Sequence, residues 1–287
     1  MANELSPADT PLILTVAPNG AYKQAHQHAA LPLTPETLAV TARACLDAGA
    51  AMLHLHVRRP DGQHSLEIDD YRQALAAVRR AVGQEMVVQV TTEAAGVYRP
   101  AHQMALVQSL RPEAVSVGLR ELRQPEVDEV TLAGFFADLL RNGTMTQVIL
   151  YNEDDVADWN DLRQRGVVPE GPWFLLFVLG RYTLGQTSTA TDLLPFLQRW
   201  DGAHPWAICA FGAAEHRCAM AAAALGGHAR VGFENNLQLI DGRTAPDNAA
   251  LVRQLAAGVA ALQRPLATAQ DVRQRFASPG PGAAARP

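Results

Sequence analysis

The sequence predicts a single-domain α/β protein that folds as a closed (β/α)8 barrel, the TIM-barrel class. Short apolar runs alternate with longer amphipathic stretches along all 287 residues, and eight such strand-then-helix units favour a barrel. Hydrophobic residues make up 48% of the chain, enough for a large core. The alternative is a doubly wound open sheet, but residues 17–21 after the first strand form a turn without the GxGxxG of a dinucleotide-binding fold.

Eight runs of apolar and β-branched residues are predicted strands. They are residues 11–16, 51–57, 86–92, 114–117, 146–151, 173–179, 206–209 and 229–233. Because the carboxyl ends of barrel strands open onto one face, we expect the residues that end these runs to surround a common site.

The helices between these strands have recognisable starts. The first begins with Thr34 as a cap and Pro35 in its first turn, and it ends at Gly49. The other predicted helices are residues 69–82, 101–110, 126–141, 155–165, 189–200, 213–225, 246–262 and 268–276.

No break in composition divides the chain, so residues 11–277 are predicted to form one barrel domain. We interpret the polar residues 1–10 as an N-terminal extension and the Pro- and Gly-rich residues 278–287 as a flexible tail. Because no apolar run is long enough for a membrane span or a signal peptide, we expect a cytoplasmic protein without a membrane partner.

Charge and cysteine content exclude further classes. The net charge is −5 and the pI is close to 6.0, which argues against a nucleic-acid partner. The three cysteines, Cys45, Cys209 and Cys218, lack CxxC spacing and indicate a reducing compartment without a disulfide framework.

Two histidines are the strongest chemical signal. His54 and His56 lie two residues apart in an apolar strand-like run, so both imidazoles project from the same face. Such a pair is hard to satisfy in a barrel core without a metal ion, although hydrogen-bonded core histidines are the alternative. His64 follows a turn and is expected at the surface.

A carboxylate completes the predicted metal site. Glu234 ends the last apolar strand, where an unpaired charge is costly. A metal ion, or Arg230 on the same strand face, would compensate it, and a simple Arg230–Glu234 ion pair is the alternative. Two imidazoles and one carboxylate with open positions are typical of a catalytic divalent-metal site.

Polar residues end the third and fourth predicted strands. Thr91, Thr92 and Glu93 end the third strand and Ser116 ends the fourth, and all four are expected around the metal. Arg120 follows the fourth strand and could bind a phosphate or a carboxylate.

With these motifs in place, the chain resembles the β-keto acid cleavage enzymes over almost its whole length. The matching segments include Gly-Ala-Ala-Met-Leu-His-Leu-His-Val-Arg from residue 49, Gly-Gly-His-Ala-Arg-Val-Gly-Phe-Glu-Asn-Asn from residue 226 and Arg-Pro-Leu-Ala-Thr from residue 264. The resemblance implies a TIM barrel, a homotetramer, and one Zn²⁺ per subunit held by His54, His56 and Glu234.

The resemblance also implies a reaction. A β-keto acid chelates the zinc through its keto and carboxylate oxygens, becomes an enolate and attacks the thioester of acetyl-CoA, and acetoacetate and a new acyl-CoA are released. A Lewis-acid metal lowers the cost of removing the proton. Arg230 matches the family's arginine near the reacting carbon, and Thr91 and Ser116 match hydroxyl residues that hold substrate oxygens.

Two positions depart from the family pattern. Asn235 stands where the family has an aspartate that abstracts the proton, and an amide cannot act as a base at neutral pH, so Glu93 is the first candidate. Tyr22, in the loop after Asn19, stands where the aminohexanoate enzyme has a glutamate that meets the substrate amine. We count Asn19 and Tyr22 as substrate contacts, and Tyr22 disfavours an amino-substituted substrate.

Two other functions stay open. The first is a metal-dependent hydrolase or lyase of the barrel class, although Tyr151, Gly180 and Glu234 occupy the regions where amidohydrolases place further histidines and an aspartate. The second is a non-catalytic protein that binds a keto acid or a CoA ester, which Asn235 supports. The side chain of the keto acid and the choice of zinc over another divalent metal are also open.

Overall fold

A computed structural model describes residues 10–277. Eight parallel strands form a closed barrel in which neighbours in sequence are neighbours in space and the first strand pairs with the last. The strands are β1 (Leu14–Val16), β2 (Met52–Leu55), β3 (Val87–Thr91), β4 (Ala114–Gly118), β5 (Met145–Leu150), β6 (Phe174–Leu179), β7 (Trp206–Ala210) and β8 (His228–Val231). The predicted TIM barrel is confirmed.

Helices follow the strands around the outside of the barrel. They are α1 (Pro35–Asp47), α2 (Ile68–Val82), α3 (Pro100–Leu110), α4 (Leu119–Leu122), α5 (Glu129–Arg141), α6 (Glu153–Gln164), α7 (Leu194–Arg199), α8 (Glu215–Ala224), α9 (Asn248–Ala261) and α10 (Ala269–Arg275). In the described part of the chain, no helix is both long and apolar enough to span a bilayer. Residues 1–9 of the predicted extension and the predicted tail, 278–287, lie outside the described residues.

The predicted helix over residues 189–200 is divided in two. A 3₁₀ turn covers Ala190–Leu193, and α7 follows it. Pro195 lies in the first turn of α7, where its missing N–H leaves no hydrogen bond unmade.

The second predicted strand is shorter than expected. It ends at Leu55, and Val57–Arg58 then pairs antiparallel with His64–Ser65 as a small hairpin. The hairpin folds His64 back onto the barrel mouth, where its Nε2 lies 2.8 Å from the carbonyl oxygen of Glu93 and its exposed fraction is 8%. The prediction that His64 lies at the surface is therefore wrong.

Side chains that alternate along the strands form two apolar cores. Outward-facing residues pack against the helices around Phe136, Trp159 and Trp173. Inward-facing residues fill the lower barrel, where Phe276 packs on Phe174 with ring centres 4.9 Å apart. Because the lower barrel is filled, the cavity inside the ring of strands opens toward their carboxyl ends.

The ends of β1 and β8 approach each other closely. Ala17 N donates to Val231 O at 2.9 Å, and Glu234 N donates to Ala17 O at 3.0 Å. Gly232 lies between these contacts with φ +141°, and a Cβ atom there would be 2.3 Å from Ala17 O. A glycine is therefore required for the chain to turn and present Glu234 at the mouth.

We expect Gly232→Ala to lower the free energy of unfolding by about 2–4 kcal/mol, because the new methyl group meets the Ala17 carbonyl in a backbone conformation that alanine rarely adopts. Denaturant unfolding measures the change. Gly242→Ala is the matched control: its φ is +85° but no atom lies within 4 Å of the added Cβ. A loss as small as that of the control would contradict the steric argument.

Candidate active site

A cavity of about 550 Å³ opens at the carboxyl ends of the strands. Barrel enzymes build their sites on this face. Among the residues that line it are seven that the sequence had singled out: Asn19, Tyr22, His54, Thr91, Glu93, Arg230 and Glu234.

Three side chains converge at the base of this cavity. His54 Nε2 and His56 Nε2 lie 3.1 Å apart, and Glu234 Oε2 lies 3.6 Å from the first and 3.4 Å from the second. All three residues are almost fully buried, and within the described residues Glu234 Oε2 has no hydrogen-bond partner. Three such atoms aimed at one point fit a divalent cation.

A hydrogen-bond chain fixes the orientation of His54. Its Nδ1–H donates to Gln89 Oε1 at 2.8 Å, and Gln89 Nε2 donates to Gln147 Oε1 at 3.2 Å. This tautomer leaves Nε2 as the lone-pair donor. Burial, assisted by the charge of Arg230, lowers the pKa of His54 well below its usual value, so the imidazole is neutral.

One oxygen of the Glu234 carboxylate accepts a hydrogen bond from Arg230. Arg230 Nη2 donates to Glu234 Oε1 at 3.0 Å and to Cys209 Sγ at 3.2 Å. Burial alone would raise the pKa of Glu234, but Arg230 and the two imidazoles hold it well below its usual value. The ion pair foreseen as an alternative is therefore present, and it leaves Oε2 free for a metal.

Arg230 also presents unused donors. It is 3% exposed, yet its Nε and Nη1 have no hydrogen-bond partner among the described residues. Buried guanidinium donors are rarely left unpaired, so their place on the cavity wall suits an anionic ligand.

Two ionisable residues that sequence reasoning missed hold the segment that carries Glu234. Lys23 Nζ donates to Glu234 O at 2.7 Å. Glu215 Oε1 accepts from Gly232 N at 3.0 Å, and its Oε2 accepts from Asn236 Nδ2 at 3.3 Å. Burial raises the pKa of Glu215 to about 8. Neither residue has a sequence spacing that reveals its role.

Glu93 borders both the cavity and the group formed by His54, His56 and Glu234. Its Oε2 lies 3.6 Å from His56 Nε2, and its Oε1 lies 3.4 Å from Arg181 Nη2. The Arg181 guanidinium lies over the Tyr22 ring, 4.7 Å from its centre. Glu93, Arg181 and Tyr22 therefore form one continuous wall of the cavity.

The predicted hydroxyl residues differ in position. Thr91 lines the cavity, and its Oγ1 accepts from Ser116 Oγ at 3.4 Å. Ser116 is fully buried behind Thr91. Thr92 Oγ1 donates to Ser116 O at 3.1 Å, a bond that ties β3 to β4.

The three remaining predicted residues are Asn19, Arg120 and Asn235. Asn19 Nδ2 donates to His56 O at 3.2 Å, which ties the first loop to the second strand. Arg120 pairs with Asp155 at 2.8 Å, behind the cavity wall. Asn235 is buried, and its side-chain amide has no hydrogen-bond partner within the described residues.

Comparison with known proteins is decisive for the family. The sequence model of the family described as "beta-keto acid cleavage enzyme" matches residues 11–277. The chain belongs to the β-keto acid cleavage enzyme family. The resemblance drawn from the sequence is confirmed.

Curated relatives of this family member align over nearly their full lengths. The 3-keto-5-aminohexanoate cleavage enzyme of Fusobacterium nucleatum subsp. nucleatum is 26% identical over 268 residues, covering 92% of this chain and 96% of the relative. The 3-oxoadipate:acetyl-CoA acetyltransferase of Cupriavidus necator is 27% identical over 278 residues, covering 94% and 95%.

Solved structures share the barrel. The apo structure of ObcA matches with a TM-score of 0.70 at 18% identity and covers 86% of this chain, which spans 65% of that protein's length. A type I 3-dehydroquinate dehydratase from Clostridium difficile matches with a TM-score of 0.58 at 9% identity, covering 89% and 93%. At these identities the likeness shows the fold.

We expect Gln89→Leu to weaken the binding of an added divalent cation roughly 10- to 100-fold, because His54 loses the acceptor that fixes its tautomer and ring orientation. Competition with a chelating dye measures the affinity. Gln147→Leu is the control: it removes the next member of the chain but leaves the acceptor for His54, so its loss should be smaller. Equal affinities of wild type and Gln89→Leu would contradict this role.

Proposed function

We propose that this protein is a zinc-dependent β-keto acid cleavage enzyme, an acyl-CoA:β-keto acid C-acyltransferase. It condenses a β-keto acid with acetyl-CoA and releases acetoacetate and a new acyl-CoA by retro-Claisen cleavage. The observation that carries the proposal is the convergence of His54, His56 and Glu234 beside the unpaired donors of Arg230, in a member of this family. A relative named for acetyl-CoA transfer supports it.

His54, His56 and Glu234 would hold the metal. A zinc ion there would act as a Lewis acid toward the keto and carboxylate oxygens of the substrate. Neutral His54 and ionised Glu234 are already in the protonation states that ligands need. The same donor set also suits ferrous iron, and the choice of zinc rests on the family resemblance.

Arg230 is the proposed electrostatic stabiliser. Its Nη2 is held by Glu234 and Cys209, so the guanidinium is oriented before the substrate arrives. Nε and Nη1 are then available for negative charge that develops on a substrate oxygen. Oriented donors in a dry site stabilise such charge more strongly than water does.

Glu93 is the proposed base, because the amide of Asn235 cannot accept a proton at neutral pH. The Glu93 carboxylate lines the cavity beside His56, and Arg181 holds its other oxygen. Thr91 Oγ1 accepts from Glu93 N at 3.2 Å and from Ser116, so its own proton is free to bind a substrate oxygen.

The remaining predicted residues divide by position. Asn19 and Tyr22 line the cavity, and we assign them to substrate contact. Thr92, Ser116 and Arg120 lie behind the wall, and we assign them to positioning. The proposal includes a homotetramer in the cytoplasm with only small-molecule partners, as the family resemblance implies.

We expect the zinc-loaded protein to convert acetyl-CoA and a β-keto acid into acetoacetate and a new CoA ester, detected by chromatography and mass spectrometry across a panel of keto acids. His54→Ala and chelation of the metal should each abolish both products, since the site loses its Lewis acid. His26→Ala, on an exposed turn, is the matched control and should retain full turnover.

Other outcomes of this assay support the rival functions. Hydrolysis of the keto acid or the thioester without CoA transfer would favour a metal-dependent hydrolase or lyase. Binding without any turnover across the panel would favour the non-catalytic binding protein.

We expect Glu93→Gln to reduce kcat roughly 100- to 10,000-fold, because the base is lost while the shape of the side chain is kept. Steady-state kinetics at saturating acetyl-CoA measure the loss. Asn235→Asp, which restores the family's residue, should rescue part of it. Turnover by Glu93→Gln at the wild-type rate would exclude Glu93 from this role.

A further inference from the structure

Glu121 is a cavity residue to which the reaction proposed above gives no role. It lies in α4, directly after β4, and its side chain lines the cavity. Its Oε2 accepts from Ala94 N at 3.0 Å and from Gln103 Nε2 at 2.8 Å. Within the described residues its Oε1 has no hydrogen-bond partner, and this oxygen is not buried, so it is open to the cavity.

The surroundings of Glu121 favour a neutral carboxyl group. Glu234 pairs with Arg230 and Glu93 pairs with Arg181, but none of the Arg, Lys and His side chains in residues 10–277 forms an ion pair with Glu121. Burial, with the nearby charge of Glu93, raises the pKa of Glu121 to about 7, although the two hydrogen bonds to Oε2 favour the ionised form. Because Oε2 already accepts two bonds, the proton belongs on Oε1, at the cavity.

Ionisable groups from four other segments act on Glu121. The charge of Glu93, after β3, raises its pKa, and the charge of His56, after β2, lowers it. Tyr22, after β1, and Tyr151, after β5, also interact with it electrostatically. Within the described residues, none of the three candidate metal ligands forms a hydrogen bond or an ion pair with Glu121.

Glu121 and the proposed base, Glu93, lie side by side. β3 and β4 are paired neighbours in the barrel, and paired strands lie about 4.8 Å apart. Ala94, whose N–H donates to Glu121, directly follows Glu93 in the chain. One carboxyl group is paired with a guanidinium and its neighbour has no counter-ion. Two titratable groups in such different environments are typical of the acid and the base of an active site.

The proposed reaction has to move two protons. The first passes from the α-carbon of the keto acid to Glu93. The second belongs to sulfur. When the enolate carbon bonds to the acetyl carbon of acetyl-CoA, the carbon–sulfur bond breaks and the sulfur leaves with the electron pair as a thiolate. Taking a free thiolate out of bulk water is costly, and thiols such as cysteine have a pKa of about 8.5, so a neighbouring neutral carboxyl group can protonate it.

We propose that Glu121 is a catalytic acid–base residue that carries this second proton. Its Oε1 gives the proton to the leaving sulfur and takes it back when the sulfur attacks the keto carbon. That attack forms the new thioester bond. The bond between the keto carbon and the α-carbon then breaks, and the electron pair stays on the acetoacetate carbon, which Glu93 protonates. Both carboxyl groups return to their starting states. The inference rests on the proposed function and adds a residue to its mechanism.

Steady-state kinetics of the zinc-loaded protein across neutral pH test this role. We expect Glu121→Gln to lower kcat roughly 100-fold and to change KM for the keto acid by less than about threefold, because an amide cannot supply the proton. In wild type, kcat/KM should fall as the pH rises through about 7, since Glu121 loses its proton there. This alkaline limb of the profile should be absent in Glu121→Gln.

Gln103→Leu provides a check of direction. The Gln103 amide stabilises the ionised form of Glu121, so its removal should move the alkaline limb to higher pH. A limb that stays at its wild-type position would contradict the assignment to Glu121. Glu153→Gln removes an exposed carboxylate at the start of α6 and should change neither the rate nor the profile. Melting temperatures check that each variant is folded.

Infrared difference spectra of the zinc-loaded protein observe the same group without turnover. The spectrum of wild type minus Glu121→Gln should contain the carbonyl band of a protonated carboxyl group, which disappears as the pH rises through about 7. The absence of this band would overturn the inference. A band without any turnover by wild type would refute the proposed function and the proton transfer together, whereas turnover that Glu121→Gln leaves unchanged would refute the proton transfer alone.

Discussion

The convergence of one carboxylate with two imidazoles across the closing seam of the barrel is the constraint on which the site depends. Glu234 follows β8, and His54 and His56 belong to the β2 segment, so only β1 separates them in the ring. The seam is held by the Ala17 carbonyl, which accepts from Glu234 N. Gly232 and Gly20 allow this approach, because a Cβ on either would collide with Ala17 or Glu234.

Around this seam, the charges of the cavity are arranged for a ligand. One oxygen of Glu234 accepts from Arg230, the other lies beside His54 and His56, and Glu93 forms an ion pair with Arg181. Within the described residues, two side chains could still bind a ligand: Arg230 has hydrogen-bond donors without partners, and Glu121 forms no ion pair. Both side chains line the cavity, so they are places where a ligand could meet an unsatisfied group of the protein.

The geometry of the barrel offers a way to accommodate departures from the family pattern. Loops after all eight strands reach the same mouth, so a role lost on one loop can be taken by a side chain from another. Asn235 and Tyr22 stand at two positions where the family pattern has carboxylates. Glu93 after β3 and Glu121 after β4 bring two carboxylates to the same cavity from neighbouring strands.

The sequence by itself determined the barrel, the family and the candidate metal ligands, because strand alternation and the His54–His56 spacing are local patterns with one geometric outcome. The tertiary structure alone decided which side chains enter the cavity. Ser116 in β4 is buried behind Thr91, the hairpin places its own residue His64 at the barrel mouth, and the segment after β4 brings Glu121 to the cavity. These directions depend on contacts between distant segments, such as Glu121 with Ala94, which no local pattern encodes.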